Sequence, residues 1–167
     1  MKHALLLLAV SVGTFLSAQD FRVDVGGDKG VSLAAGSQMQ GVTVQQAGWL
    51  KENRDKRLLF SGKVSKEWQK RSITFTPKTD GSVAISFMSS KKDGAFIGYR
   101  NLQIIGSSLK NQELAAGSNG LPTSWGKLGK PNYRENTIFC RHNDRFHQLV
   151  PCKGGTPVTL SFETRSE

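Results

Sequence analysis

The sequence has few of the residues that metal centres and thiol chemistry require. Only two cysteines and three histidines occur among 167 residues, too few for a zinc module of cysteine and histidine ligands. A nucleophile elbow, a phosphate-binding loop and a dinucleotide fingerprint are also lacking. We therefore expect no catalytic residues, no cofactor and no metal site. A structural calcium ion held by loop carbonyls and Asp24, Asp28 or Asp144 stays open as an alternative.

Long apolar runs are absent after the first residues of the chain. Lys2 precedes a continuous apolar run over 4–10, and the small residues Ser17 and Ala18 follow. This order is typical of a secretory signal peptide cleaved after Ala18. The alternative, a membrane anchor, would need a run long enough to cross about 30 Å of hydrocarbon. We expect a signal peptide at 1–18, no transmembrane span, and a secreted, periplasmic or cell-surface protein.

No segment after the signal peptide carries a helical stripe, whereas alternation of apolar and polar residues recurs. The alternating runs are 21–25, 42–44, 73–75, 83–87, 102–104 and 158–162. Each run places its apolar residues on one face of a strand. Eight or nine short strands of this kind predict an all-β protein, a two-sheet antiparallel β-sandwich of the jelly-roll type, over 19–167. Asp80-Gly81, between two strong runs, predicts a hairpin turn.

The two cysteines lie twelve residues apart. Cys140 and Cys152 flank Asn143-Asp144, a pair that favours a turn. If the flanking segments form a hairpin, the thiols can face each other, and export would favour a disulfide. Two separate buried thiols are the alternative, since spacing does not give pairing geometry.

Four segments form two regions with recognisable patterns. The first region contains "WQKRSITFTPKTDGSVAISF" and "YRNLQIIGSSLKN". The second contains "NGLPTSW" and "HNDRFHQLVPCKGGTPVTLSFETRS", with Leu121-Pro122 before Trp125 and Gln148 in a strand. These regions resemble, respectively, the closing half and the opening half of a jelly-roll carbohydrate-binding module of the galactose-binding-domain-like superfamily. The resemblance covers roughly 60–167 and implies a β-sandwich that binds carbohydrate without catalysis.

The chain departs from that family in two ways. The closing half comes first, so either one sandwich is circularly permuted or one module is followed by part of another. A single sandwich is favoured, because half a module would leave long unpaired sheet edges. Tyr99-Arg100-Asn101 stands where these modules often have an aspartate, so a calcium site is not carried over.

Aromatic residues near loops are the candidates for stacking on sugar rings. Flat rings beside polar donors suit a ligand that has both hydroxyls and apolar C–H faces. Trp68 opens an alternating strand and is expected in the core. The predicted ligand-binding residues are Trp49, Tyr99, Trp125, Tyr133, Arg134, Arg141 and His142.

Two histidines and one aspartate lie close together in the sequence between positions 142 and 147. His142, Asp144 and His147 lie among many serines, but a Ser-His-Asp arrangement needs a geometry that spacing alone does not supply. The alternative, a polar turn, fits the sequence better.

The chain is strongly basic. Lysine and arginine total 23 against 13 acidic residues, a formal charge of +10. Such a surplus favours anionic partners. A solvated face is the simplest interpretation of the basic residues between 51 and 71, and export makes nucleic acid a poor partner.

Together these patterns predict a non-catalytic module that recognises a glycan or another cell-surface ligand, and the positive charge favours an anionic glycan. A structural or adhesion module contacting protein or the cell envelope is the first alternative. A small secreted hydrolase is the second.

Overall fold

The computed structural model describes residues 20–27, 39–40, 43–46, 57–89, 95–109 and 125–167. These residues form twelve strands and no helix. The strands are β1 Asp20–Gly27, β2 Met39–Gln40, β3 Thr43–Gln46, β4 Arg57–Lys63, β5 Gln69–Phe75, β6 Gly81–Ser89, β7 Ile97–Ile105, β8 Gly126–Leu128, β9 Asn132–Arg134, β10 Thr137–Cys140, β11 Arg145–Cys152 and β12 Val158–Ser166. The predicted signal peptide and Trp49 lie outside the described residues.

Two antiparallel sheets pack against each other as a β-sandwich. The first sheet has the strand order β3-β4-β1-β6-β11-β8, and the second has the order β2-β5-β12-β7-β10-β9. The all-β class and the two-sheet architecture predicted from alternation are confirmed. The expectation of eight or nine strands is wrong for the described part of the chain. β2, β3, β8 and β9 have only two to four residues each, and of these only β3 overlaps one of the alternating runs, 42–44.

Alternation in the sequence correctly marks which residues enter the core. Along β11, buried and exposed residues alternate without interruption, and β12 shows the same period over most of its length. Because successive side chains of a strand point to opposite faces, one row fills the space between the sheets and the other faces outward.

From β4 onward, successive long strands lie in different sheets, which corrects the hairpin predicted at Asp80-Gly81. β5 belongs to the second sheet and β6 to the first, so the turn between them is an arch that crosses from one sheet to the other. The carboxylate of Asp80 accepts a hydrogen bond of 2.8 Å from the backbone N–H of Gly154. This bond joins the arch to the β11–β12 turn at the same end of the sandwich. A turn sequence fixes a change of direction but does not decide whether the two strands pair.

Aromatic rings from both sheets meet in the core. The Phe87 ring of β6 lies 5.1 Å from Tyr99 and 5.5 Å from Phe162 of the opposite sheet, both in edge-to-face geometry. Phe21 packs edge-on against Phe162 at 5.8 Å. These rings fill the centre of the sandwich with large side chains whose contact geometry is directional.

The hydroxyl of Tyr99 is the polar centre of this apolar cluster. Tyr99 lies on β7 of the second sheet and is 2% exposed. Its hydroxyl donates to the backbone carbonyl of Met88, on β6 of the first sheet, and lies 3.4 Å from the backbone N–H of Arg22 on β1. Burial raises the pKa of Tyr99 well above its usual value, so the hydroxyl keeps its proton and its role as a donor.

A β-bulge at Asn101 reverses the alternation within β7. Ser161 of β12 opposes Gln103, whereas Glu163 opposes Arg100, so β7 contains one more residue than β12 between these pairs. Asn101 has a φ of 53°, a left-handed conformation that asparagine tolerates better than most residues. The bulge lets Tyr99 and Leu102 both face the core although they are an odd number of residues apart.

No helix in the described part of the chain is long and apolar enough to cross a membrane.

Replacing Tyr99 with phenylalanine is expected to lower the free energy of unfolding by about 1–3 kcal/mol. The ring is kept, but the buried Met88 carbonyl loses the hydroxyl that donates to it. Urea denaturation monitored by circular dichroism measures the change. Tyr133→Phe is the control, because the Tyr133 hydroxyl bonds Asn136 at the surface and its loss should cost less. Equal losses in the two variants would contradict the role given to Tyr99.

Substitutions at Asn101 test the bulge. Asn101→Gly should leave stability within about 0.5 kcal/mol of the parent or raise it slightly, since glycine adopts positive φ without strain. Asn101→Val should destabilise by about 1–3 kcal/mol, because a β-branched residue is strained there. Thermal unfolding of the two variants measures the difference. Equal stability would show that the positive φ at position 101 does not restrict which residue can stand there.

Candidate functional site

Two of the predicted sugar-stacking rings are core residues. Trp125 is 6% exposed and stacks on Phe146, with ring centroids 4.7 Å apart and planes 8° apart. Tyr99 lies in the cross-sheet cluster described above. Neither ring presents a face to a ligand, because each packs between the sheets. The sequence around both residues resembles a loop and therefore suggested exposure. Large aromatic rings are usually buried even when they lie beside turns.

The remaining predicted residues are divided between surface and periphery. Tyr133 on β9 packs against the edge of the core, and its hydroxyl donates to the side-chain oxygen of Asn136 at 3.0 Å. Burial raises the pKa of Tyr133. Arg134 and Arg141 are exposed at opposite ends of β10. His142 is half-buried, and its Nδ1 has no hydrogen-bond partner among the described residues.

Trp68, expected in the core, lies instead on the outer side of the second sheet. It is half-buried, and its ring lies beneath two arginines, 4.0 Å from the Arg100 guanidinium carbon and 4.8 Å from that of Arg165. The sequence contained a signal for this position. Trp68 has the same parity as the polar residues Ser72 and Thr74 of the alternating run, and the opposite parity to Ile73.

Arginines and aromatic rings repeat this contact across one end of the second sheet. Arg134 lies 4.6 Å from the ring centre of Phe139, and Arg141 lies 4.9 Å from that of Phe96. Phe139 is 4% exposed but lies outside the core cluster, because it faces outward beneath Arg134. We call this surface the arginine–aromatic face; its residues are Trp68, Phe96, Arg100, Arg134, Phe139, Arg141 and Arg165.

Gly98 forms the floor of the arginine–aromatic face. It opposes Arg165 on β12 and Phe139 on β10. A Cβ at this position would lie 3.1 Å from both the Trp68 ring and the Phe139 ring. The missing side chain therefore allows the two rings to rest close to the sheet, where the arginines cover them.

Two glutamates hold the arginines in place. Glu163 accepts a hydrogen bond of 2.7 Å from Nε of Arg100. Glu167 accepts a hydrogen bond from Arg134 and lies 3.9 Å from Arg165. Arg141 in turn lies 3.8 Å from the Asp144 carboxylate, so four arginines against three acidic side chains leave this face with an excess of one positive charge. The charged ends remain in water, since the side chain of Arg134 is 54% exposed and that of Arg141 is 45% exposed.

The predicted cluster of His142, Asp144 and His147 is not assembled as a catalytic group. Asp144 is buried, and its two carboxylate oxygens accept backbone hydrogen bonds from Lys130 at 2.8 Å and from Arg141 at 3.0 Å. Neither imidazole is hydrogen bonded to Asp144 within the described residues. The carboxylate fixes the β8–β9 loop to the turn before β11, which is a structural role.

His147 lies on the outer face of the opposite sheet. It opposes Ser86 of β6, which in turn opposes Asp24 of β1. A catalytic triad needs the imidazole between the acid and the hydroxyl, whereas here the serine is in the middle. The acid and imidazole are separated by two strand spacings, about 10 Å. His147 also covers Gly126, where a Cβ would meet the imidazole at 2.4 Å.

The predicted disulfide between Cys140 and Cys152 is wrong, since both cysteines are free and buried. β10 and β11 belong to different sheets rather than to one hairpin. The Sγ of Cys140 lies 3.7 Å from the carbonyl of Phe87, whereas Cys152 opposes Gly81. Phe87 and Gly81 are six residues apart along β6, which corresponds to about 20 Å. A disulfide requires that the two Cα atoms lie within about 7 Å of each other.

Both thiols are protected by burial. Burial raises the pKa of Cys140 far above its usual value, and the nearby Asp144 raises it further. Burial also raises the pKa of Cys152, to about 11, although a backbone hydrogen bond at Val83 opposes the shift. Both groups are therefore protonated at neutral pH, and thiols are poor nucleophiles.

The described residues contain no group of three or more histidine, cysteine or acidic side chains placed to hold a metal ion. Of the acids considered for calcium, Asp144 is engaged with backbone amides, and Asp28 lies outside the described residues.

Comparison with protein-family models, curated proteins and solved structures finds no match to this chain.

The thiols provide a direct test of this arrangement. In the native protein at pH 8, both cysteines should react with a chromogenic disulfide reagent far more slowly than a free thiol, because burial and the raised pKa suppress the thiolate. In denaturant, two thiols per chain should react at once. Release of no thiol in denaturant would show a disulfide and contradict the two-sheet placement of β10 and β11.

Proposed function

We propose that this protein is a non-catalytic binding module for an anionic glycan, and that the arginine–aromatic face is its binding surface. The observation that carries the proposal is the stacking of four guanidinium groups on three outward-facing aromatic rings.

Stacking prepares the arginines for binding. A guanidinium is planar and donates through its edge, in a fork that matches two oxygens of an oxyanion. When its flat side lies on a ring, that edge still points to solvent and less side-chain freedom is lost when a ligand binds. The aromatic rings thus support the arginines rather than stack on the sugar, which differs from the loop-aromatic site expected from the sequence.

The arginines of this face come from several strands. Arg165 lies on β12, Arg100 on β7 and Arg134 on β9, strands that span three spacings of the sheet, about 14 Å, and the side chains of Arg134 and Arg165 converge on Glu167. A polymer with regularly placed negative groups can bind several of these arginines at the same time. Each contact then adds to the overall binding affinity. Export of the chain, predicted from residues 1–18, would bring it to such polymers.

The strand order supports the finer proposal that the sandwich is a circularly permuted jelly roll. In a jelly roll the two sheets have the chain orders 1-8-3-6 and 2-7-4-5. The central strands here have the orders β4-β1-β6-β11 and β5-β12-β7-β10. They match if β4 is counted first and β1 takes the place of the eighth strand. This agrees with the altered order of the two stretches that resemble carbohydrate-binding modules.

One observation favours a structural or adhesion module as the second candidate. Leu128 and Leu149 are more than half exposed on neighbouring strands of the first sheet. Exposed apolar side chains on one face favour contact with a protein partner. The charged array on the opposite face is the larger feature, and the glycan proposal is therefore preferred.

Binding to soluble polysaccharides tests the proposal. By isothermal titration calorimetry, the full-chain protein should bind dextran sulfate and not neutral dextran. Arg134→Ala should weaken binding about tenfold, since a charge-assisted hydrogen bond contributes about 1.5–3 kcal/mol. Arg145→Ala is the matched control, because it removes one exposed positive charge from the other sheet, and it should change affinity by less than about twofold.

Equal losses from Arg134→Ala and Arg145→Ala would indicate attraction by net charge alone and overturn the site. Binding to a single-stranded oligonucleotide but not to dextran sulfate would overturn the ligand class.

A further inference from the structure

We infer that Arg134 and Arg165 form the primary anion subsite of the arginine–aromatic face, that this subsite is built for a sulfate ester, and that Glu167 occupies it in the free protein. The inference rests on the proposed function and specifies which group of the glycan is recognised.

The position of Glu167 marks the subsite. One of its carboxylate oxygens accepts a hydrogen bond from Arg134 and is also the oxygen closest to Arg165, at 3.9 Å. Two guanidiniums from different strands, β9 and β12, therefore converge on a single oxygen. The protein's own carboxylate shows where the negative group of a ligand would be bound.

The hydrogen-bond donors of Arg165 are incompletely used. Its terminal nitrogen lies 3.9 Å from Glu167, too long for a hydrogen bond, whereas its Nε is buried and has no partner among the described residues. The guanidinium nevertheless stays over the Trp68 ring, 4.8 Å from the ring centre. Arg165 is thus held in place and incompletely satisfied, as expected of a group that awaits an acceptor.

Shape distinguishes a sulfate ester from a carboxylate. A carboxylate is flat and has two oxygens, and Glu167 contacts Arg134 while leaving Arg165 at a distance. A sulfate ester has three terminal oxygens in a tetrahedral arrangement, so it can accept from both guanidiniums at the same time. The subsite is therefore expected to prefer sulfated over carboxylated glycans.

Glu167 then acts as an internal competitor. A ligand must displace its carboxylate, and the Arg134–Glu167 ion pair is weak because the Arg134 side chain is 54% exposed. Removing the carboxylate should free both arginines without unfolding the sandwich.

The experiment compares Glu167→Gln with Glu135→Gln in the full-chain protein. Glu135 lies in the exposed turn between β9 and β10, next to Arg134. Its substitution by glutamine removes one negative charge close to the subsite, as Glu167→Gln does. Glu167→Gln should raise affinity for dextran sulfate about fivefold, and Glu135→Gln by less than about twofold. Arg165→Ala should lower the affinity and abolish the gain from Glu167→Gln. Melting temperatures should show that all variants fold.

Binding to polygalacturonate, which carries only carboxylates, separates the outcomes. The parent should bind dextran sulfate at least about tenfold more tightly than polygalacturonate of equal charge density. Equal binding of both polymers, or equal gains from the two glutamine variants, would overturn the sulfate subsite while the anionic-glycan function stands. Failure of the parent to bind either polymer would overturn the proposed function itself, and the subsite with it.

Discussion

The hydrogen bond from the Tyr99 hydroxyl to the Met88 carbonyl joins the two sheets at the centre of the molecule. The aromatic contacts between the sheets favour an edge-on geometry, and this bond adds a fixed direction and a specific acceptor at Met88. The bond fixes the position of β7 relative to β6. The rings of Phe21, Phe87 and Phe162 pack around the Tyr99 side chain in this position. Since β7 is central in the second sheet, its position also sets those of β10 and β12, which carry the arginine–aromatic face.

The bulge at Asn101 links this core to the surface. Without the extra residue, a strand with Tyr99 facing inward would turn Leu102 and Ile104 outward and expose them. With the extra residue, both halves of β7 are buried, and Arg100 is directed outward opposite Glu163. A single left-handed residue therefore reconciles an apolar core with a charged outer face.

The sequence predicts which face of a strand is buried much better than which sheet the strand joins. Alternation correctly placed Ile73, Val83 and Leu160 in the core, because burial depends on side-chain period alone. It failed at Asp80-Gly81 and at the two cysteines, because pairing depends on contacts between residues distant in the chain. Of the candidate site, Arg134 and Arg141 were named from the sequence. Trp68 was misassigned despite its parity, and no sequence signal revealed that Arg100 and Arg165 share its ring.

The separation of the two thiols has a consequence for how this chain reaches its native state. In the unfolded chain, Cys140 and Cys152 are only twelve residues apart and would meet often, since closing so short a loop costs little entropy. In the folded protein, they are held apart by six residues of β6. In an oxidising compartment, a bond between them would hold β10 and β11 together and prevent the two strands from entering opposite sheets. If the chain is exported, as its first residues predict, burial of the thiols must outpace their oxidation, and the speed of folding is then under constraint as well as the stability.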